Sequence, residues 1–320
     1  MAGYPKLPII TLLAWLTTFG AVTGCAPDPG TDPAQADADG DGLSPNEGDC
    51  DDSDPAVTGP VFDLDCEGSY QRMVLNEVFT GSNCGPCLGA DAQILDVLHQ
   101  NEGQYVLLSY QIGSDPYVTA EGVARRMSYL PPEASSYSIP WMQVDGWNGF
   151  HPVEVNNDQG YLDEDFDEFF SEPCHLGLEI DVSVRRPLGT VKEGPRVTTN
   201  VRLLPGLDYP SEDLMLHTII VEGTTYLNVG SNGQSEFHHV MKKMMAGATG
   251  LAIDPLVRGE AVQFEQSFTF QGDYDDDTGI ADMLNHGTAH TVEEFEDLTV
   301  IAFVQDAQTL QVHQSIWSGR

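Results

Sequence analysis

The rhythm of apolar and polar positions changes three times along the chain. An apolar run from Leu7 through Trp15, Leu16 and Phe19 to Val22 comes first, preceded by one charged side chain, Lys6. Residues 26–69 are dominated by Pro, Gly, Asp and Ala and contain no Lys or Arg. Such a stretch buries too little apolar surface to order itself and reads as a tether. From 70 to 173 the pattern is α/β. Met73–Phe79 is an apolar strand, and Pro86–His99 is a helix with Ile94, Leu95 and Leu98 on one stripe and Pro86 suited to its first turn. Tyr105–Tyr110 is a second buried strand. A polar, Pro-rich insertion over Ile112–Tyr137 holds a short helix around Ala120–Leu130. Ile139–Gly146 reads as a strand introduced by Pro140 and ended by an Asp-Gly turn, and Gln159–Phe170 as a closing helix. Beyond Pro173 the period becomes two: Leu176, Leu178, Ile180, Val182 and Val184 alternate with polar residues, as do Val197, Thr199, Val201 and Leu203. Further strands read at Leu214–Val221, Val262–Phe270, Leu298–Val304 and Leu310–Trp317. Strands divided by turn residues predict an antiparallel, Ig-like β-sandwich after the α/β unit.

Length and charge narrow the reading. At 320 residues with 41% hydrophobic content, the chain accommodates two domains with real cores plus tails. A formal net charge of −37 excludes nucleic acid as a natural partner, since phosphate binding needs a basic surface. Divalent cations are the natural counter-charge.

The first apolar run has the length of a signal peptide and is short for a membrane span. It ends in Val22-Thr23-Gly24-Cys25, which resembles the lipobox of bacterial lipoproteins. That resemblance implies cleavage after residue 24 and acyl chains on Cys25; several chains, at about 0.8 kcal/mol per CH₂, anchor stably. Ala26 after the cysteine favours, by the same analogy, the outer membrane. The alternative is an ordinary secretory signal. Either way the mature chain sits in an oxidising, extracytoplasmic compartment, and the lipid anchor places it in the cell envelope.

The tether, 25–69, carries Asp37, Asp39 and Asp41 before Gly42, then Asp49, Asp51, Asp52 and Asp54. Alternating carboxylates before a turn glycine supply the hard oxygens Ca²⁺ prefers. An EF-hand needs a Glu at its twelfth position, and Gly48 stands there. The segment is instead similar to short Asp-rich, cysteine-containing metal-binding repeats of secreted bacterial proteins. That similarity implies a Cys50–Cys66 disulfide, with Asp63-Leu64-Asp65-Cys66 closing the unit. The plainer alternative is a solvated acidic spacer.

The candidate chemistry lies in Cys84-Gly85-Pro86-Cys87, between an apolar strand and an amphipathic helix. At a helix start, orphan N–H groups and the helix dipole favour a thiolate. Cys84 is then the accessible nucleophile, and Cys87, further into the helix, the buried resolving thiol. A zinc site is the chemical rival, but no second Cys pair or His pair at ligand spacing completes it. Thioredoxin-like folds place a cis-proline beside such cysteines, and Pro140 falls at that point. Glu77 lies within the apolar strand. It either accepts the resolving thiol's proton or simply holds the loop.

Glu77-Val78-Phe79-Thr80-Gly81-Ser82-Asn83-Cys84-Gly85-Pro86-Cys87 resembles the signature of the outer-membrane-protein-28-related lipoproteins. The Pro140…Val144-Asp145-Gly146 run is similar to the same family, as are Leu216–Glu222, Phe237–Lys242 and Leu298–Gln305. The resemblance implies a thioredoxin-like domain over 70–174 and a β-sandwich over 175–320. Asn83 stands where thioredoxin has a tryptophan, and the insertion after Ile112 is placed to cover the site. His238, His239, Met241, Met244 and Met245 offer soft ligands for copper or, more plainly, core and hairpin packing. Asp273 and Asp275–Asp277 read as a solvated loop or a surface calcium site. Cys174 is either buried and inert or a competitor for Cys66. Two functions follow. One is a lipid-anchored thiol–disulfide oxidoreductase acting on envelope proteins, with no cofactor at the redox pair. The other is a surface adhesion lipoprotein in which the pair is a structural bridge.

Overall fold

The first buried strand of the α/β region is β1 (Val74–Thr80), with every residue enclosed. In this computed structural model, residues 69–134, 136–153, 160–185, 193–271 and 290–319 are described. β1 pairs in parallel with β2 (Tyr105–Gln111) and antiparallel with β3 (Trp141–Val144), which forms a hairpin with β4 (Asn148–Phe150). The helix α1 (Cys87–Gln100) connects β1 to β2, α2 (Ala120–Ser128) follows β2, and α3 (Asp163–Phe170) follows the hairpin. The order β2-β1-β3-β4 with these crossovers is a thioredoxin-like arrangement. Each helix has a local cause. Pro86 caps α1 with φ −71°, where its missing N–H costs nothing. Thr119 accepts from the Gly122 amide at the start of α2, 3.0 Å away. Asp163, Glu164 and Asp165 crowd the first turn of α3, where the dipole favours carboxylates.

The period-two half gives β5 (Leu176–Arg185), β6 (Glu193–Pro205), β7 (Leu214–Thr225) and β8 (Phe237–Met244). These are followed by β9 (Leu251–Ala252), β10 (Val262–Gln271), β11 (Leu298–Asp306) and β12 (Val312–Trp317). The strands β10, β6 and β5 form one antiparallel sheet. It faces β7 and β11 across a core containing Leu176, Val201, Leu203, Leu214, Leu216 and Val304. The distal half is therefore two facing β layers.

One of those layers does not stop at the domain line expected at 174/175. β8 pairs in parallel with β2 at Ser109↔Val240, so a single sheet runs β12-β11-β7-β8-β2-β1-β3-β4 through both halves. An unpaired β2 edge would expose a row of backbone groups, and β8 covers it. The core is shared too: Leu75, Phe79 and Leu108 pack in one cluster with Ile219, Met241, Ile301 and Phe303. A second cluster on the other face of β1 joins Val74 and Val78 to Ile94, Val97 and Leu98 of α1.

Candidate functional site

The loop from Gly81 to Pro86 carries the chain from β1 into α1. The Cys84 amide donates to Gly81 O at 3.0 Å and the Cys87 amide to Cys84 O at 3.2 Å. Cys84 and Cys87 form a disulfide, S–S 1.98 Å with Cα atoms 5.3 Å apart. The pair is asymmetric: Cys84 is partly exposed, whereas Cys87, the first residue of α1, is 0% exposed. No acidic side chain lies in the first helical turn, so nothing there offsets the dipole's preference for negative charge on sulfur.

Two segments hold this loop. From the insertion after Ile112, Asp115 accepts from the Ser82 amide at 2.7 Å, and Ser114 O accepts from Asn83 Nδ2 at 2.8 Å. From the distal half, Asn232 Nδ2 donates to Gly81 O at 3.3 Å and to Cys84 O at 3.2 Å. Its backbone N–H donates to Ser82 O at 3.0 Å, and the Ser231 amide donates to Asn83 Oδ1 at 3.0 Å. Gly230 is a glycine for a steric reason, since a Cβ there would lie 2.4 Å from Ser82 C and O. Asn83 thus ties both flanking segments to the cysteine loop. Sequence reasoning missed the 230–234 segment, because nothing local in Gly-Ser-Asn-Gly-Gln points to a partner 148 residues away.

Ile139–Pro140 is a cis peptide, and Pro140 is buried. The Ile139 Cδ1 atom lies 3.6 Å from where a Cβ on Gly81 would sit, so this segment borders the cysteine loop. The Pro140 carbonyl lies 2.7 Å from His151 Nδ1.

Glu77 is where the structure departs from expectation. Side chains alternate along a strand, and Glu77 shares its face of β1 with Leu75 and Phe79, away from α1. Its carboxylate meets Arg125 of α2 through Nε at 2.9 Å and Nη2 at 2.8 Å. It also accepts from the hydroxyls of Tyr110, at 2.7 Å, and Tyr129. The reading of Glu77 as proton acceptor for Cys87 is corrected: the sheet lies between them, and its acceptor sites are taken. The carboxyl on the α1 side is Asp91. Its Oδ2 accepts from Thr80 Oγ1 at 3.1 Å and from Gln234 Nε2 at 2.9 Å. Burial pushes its pKa up from 3.8 to about 6 against the pull of those two bonds. Asp91 stands four residues after Cys87, a spacing that could have drawn attention to it.

The remaining candidates divide between packing and residues beyond the described ones. Cys174 is a buried free thiol donating toward Leu176 O at 3.5 Å and His313 O at 3.4 Å. Burial raises its pKa, which makes it a poor nucleophile. Met241 and Met244 fill the shared core, Met245 packs beside Ile220, and the His239 ring lies 4.8 Å from that of Trp317. His238 pairs with Glu236 at 3.4 Å. Among the described residues no cluster of three His, Cys, Asp or Glu is placed to hold a metal. No helix among them is long and apolar enough to cross a membrane. Cys25, Asp37, Asp39, Asp41, Asp49, Asp51, Asp52, Asp54, the Cys50–Cys66 pair and Asp273–Asp277 lie outside the described residues.

No family model and no curated protein sequence matches the chain. Among solved structures it is similar to HBP35 of Porphyromonas gingivalis, with a TM-score of 0.56 and 14% identity over 78% of this chain and 76% of that one. A structural-genomics protein from Agrobacterium tumefaciens aligns with a TM-score of 0.44 and 12% identity over 78% of this chain and 95% of its own. The first likeness supports the fold, a thioredoxin-like unit joined to a β part, and at such identity it speaks to the fold alone.

Proposed function

We propose that this protein is an extracytoplasmic thiol–disulfide oxidoreductase whose working groups are Cys84 and Cys87. One observation carries the reading: within a single disulfide, one sulfur belongs to a partly exposed residue and the other to a fully buried one at a helix start. Exchange chemistry requires that asymmetry. An incoming thiolate needs access to one sulfur, and the leaving sulfur needs an environment that accepts its charge. A bridge serving only to staple a loop needs neither. Protein thiols and disulfides of the envelope are the substrate class, and the pair itself uses no cofactor. Pro140 borders the loop where a substrate strand would lie. The Ig-like character of the distal layers, membership among outer-membrane-protein-28-related lipoproteins, lipid attachment at Cys25 in the outer membrane and Ca²⁺ binding by the tether belong to the same proposal. They rest on the sequence motifs.

The test is alkylation of the reduced protein across pH, followed by trapping with Cys87→Ser. Cys84 is expected to react with a pKa below the ~8.5 of a free cysteine and to capture envelope proteins as mixed disulfides. A pair that resists dithiothreitol and captures nothing would leave the adhesion reading, with the bridge structural. Cys25→Ser is expected to release the protein from membranes. Calorimetric Ca²⁺ titration is expected to lose its heat in an Asp39→Ala, Asp41→Ala double variant.

A further inference from the structure

Several polar atoms around the cysteine loop have no protein partner although they are closed off from the surface: Ser82 Oγ, Asp91 Oδ1 and both amide atoms of Gln111. Strand register explains why two of these residues converge. Thr80 of β1 is paired with Gln111 of β2, and Val78 with Ser109, so these four side chains lie on the α1 face of the sheet. Thr80 holds Asp91 from that face. On α1, residues four apart are neighbours with Cβ atoms about 5–6 Å apart, which sets Asp91 one turn below Cys87. Beside Asp91 is a small cavity of ≈ 20 Å³, walled on its apolar side by Val78, Ile94, Leu95 and Leu107 and on its polar side by Asp91, Ser109, Gln234 and His238. It has room for a water molecule. A carboxyl with one enclosed, unpartnered oxygen therefore sits one helical turn from the buried cysteine and lines a cavity with room for water.

We propose that Asp91 exchanges the proton with Cys87 whenever the Cys84–Cys87 bond opens or closes. The inference deepens the exchange reading and rests on it. Starting from the disulfide, a substrate thiolate attacks Cys84 Sγ, the S–S bond breaks, and the electron pair leaves on Cys87. The thiolate takes the proton of the Asp91 carboxyl. A second substrate thiolate, its proton lost to solvent, attacks the substrate sulfur of the mixed disulfide and expels Cys84 as thiolate. The substrate dithiol is oxidised by two electrons and the cysteine pair is reduced. In reverse, the Cys87 thiol passes its proton to the Asp91 carboxylate as it attacks Cys84. A carboxyl raised to about 6 holds either form near neutral pH, as this task requires. The polar groups around Asp91 are Thr80 and Ser109 from the sheet, Cys87 one turn away on its own helix, and Gln234 and His238, the latter paired with Glu236, from the distal half. Gln234 is a positioning residue supplied by the β part, which makes the redox site a joint product of both halves.

Mixing the reduced full chain with 5,5′-dithiobis(2-nitrobenzoate) in a stopped-flow instrument separates the steps. The first thionitrobenzoate released reports attack by Cys84, and the second reports resolution by Cys87. Asp91→Asn is expected to leave the first phase unchanged and to slow the second roughly a hundredfold near pH 7. Gln234→Leu, which removes a bond favouring the carboxylate, is expected to move the pH midpoint of the second phase upward. Equal second phases in wild type and Asp91→Asn would overturn the role of Asp91 while leaving exchange intact. Should Asp91→Asn not fold, an unmoved midpoint in Gln234→Leu would overturn it instead. Absence of a first phase in the wild type would mean that the exchange reading itself has failed.

Discussion

Arg125 and Glu77 meet as a two-pronged pair at 2.9 and 2.8 Å, with only 3% and 0% of their side chains exposed. The third guanidinium nitrogen, Nη1, donates to Gln305 Oε1 on β11 at 2.8 Å. One carboxylate therefore binds β1 to α2 and, through Arg125, to the distal half. Removing it leaves a buried cation unpaired, at a cost of about 3–5 kcal/mol. Denaturant titration of Glu77→Ala is expected to show that loss. The double variant Glu77→Leu, Arg125→Met is expected to lose less, because no charge is stranded. Equal losses would mean that the pair's charge is not what holds this junction.

The Asn232 amide spans two carbonyls of the cysteine loop. Each lost bond is worth about 0.5–1.5 kcal/mol net. Asn232→Ala is expected to destabilise the oxidised protein by roughly 1–2 kcal/mol and to quicken alkylation of reduced Cys84. Gly230→Ala, whose methyl would collide with Ser82, is expected to have the same effect on alkylation. An alkylation rate identical to wild type in both variants would show that the distal segment does not shape the loop.

The Asp91 carboxyl carries a stability signature of definite sign. Its folded pKa, about 6, stands above the ordinary 3.8, so ionisation favours the unfolded chain. The penalty is absent below pH 3.8, grows as pH rises through about 6, and is complete above it. A shift of that size corresponds to at most about 3 kcal/mol. Asp91→Asn in the disulfide form is expected to gain stability over wild type at pH 8 but not at pH 3.5, measured by thermal denaturation. A gain of the same size at both pH values would contradict this.

His239 has the opposite pH dependence. Burial, followed by the neighbouring His238, lowers its pKa from 6.5 to about 4. The folded protein keeps the ring neutral, and its contribution is full above pH 6.5 and lost as pH falls toward 4. His239→Asn, which tolerates the positive φ of 50° found there, is expected to flatten the fall in stability across that window. A fall as steep as in the wild type would assign it to other groups.

How legible the protein was depended on the range of the forces involved. The helix after Pro86, the strands at 74–80 and 105–111, and the alternating strands beyond 176 follow from local periodicity, and their boundaries fell within a few residues of expectation. Glu77 was legible as buried but not as to its face. A strand enclosed on both sides reads as a continuous apolar run, which carries no alternation to say which way a polar side chain turns. Asp91 sits beside Ile94 and Leu95 with nothing local to mark it as buried. What closes it off is Gln234, 143 residues later. The shared sheet was hidden for the same reason, since the pairing of β8 with β2 depends on an edge that exists only after both halves have formed.

The sequence by itself determined the Cys84–Cys87 pair, the strand and helix that flank it, the proline that borders it, and the change from α/β to alternating strands. All of these rest on spacing and backbone preference within a few residues. The tertiary structure decided which carboxyl stands on the side of the buried sulfur, which loop clamps the accessible one, and that one sheet unites both halves. Those outcomes depend on burial and hydrogen bonds between residues far apart in the chain, and such contacts acquire their energy only when packing excludes water from around them.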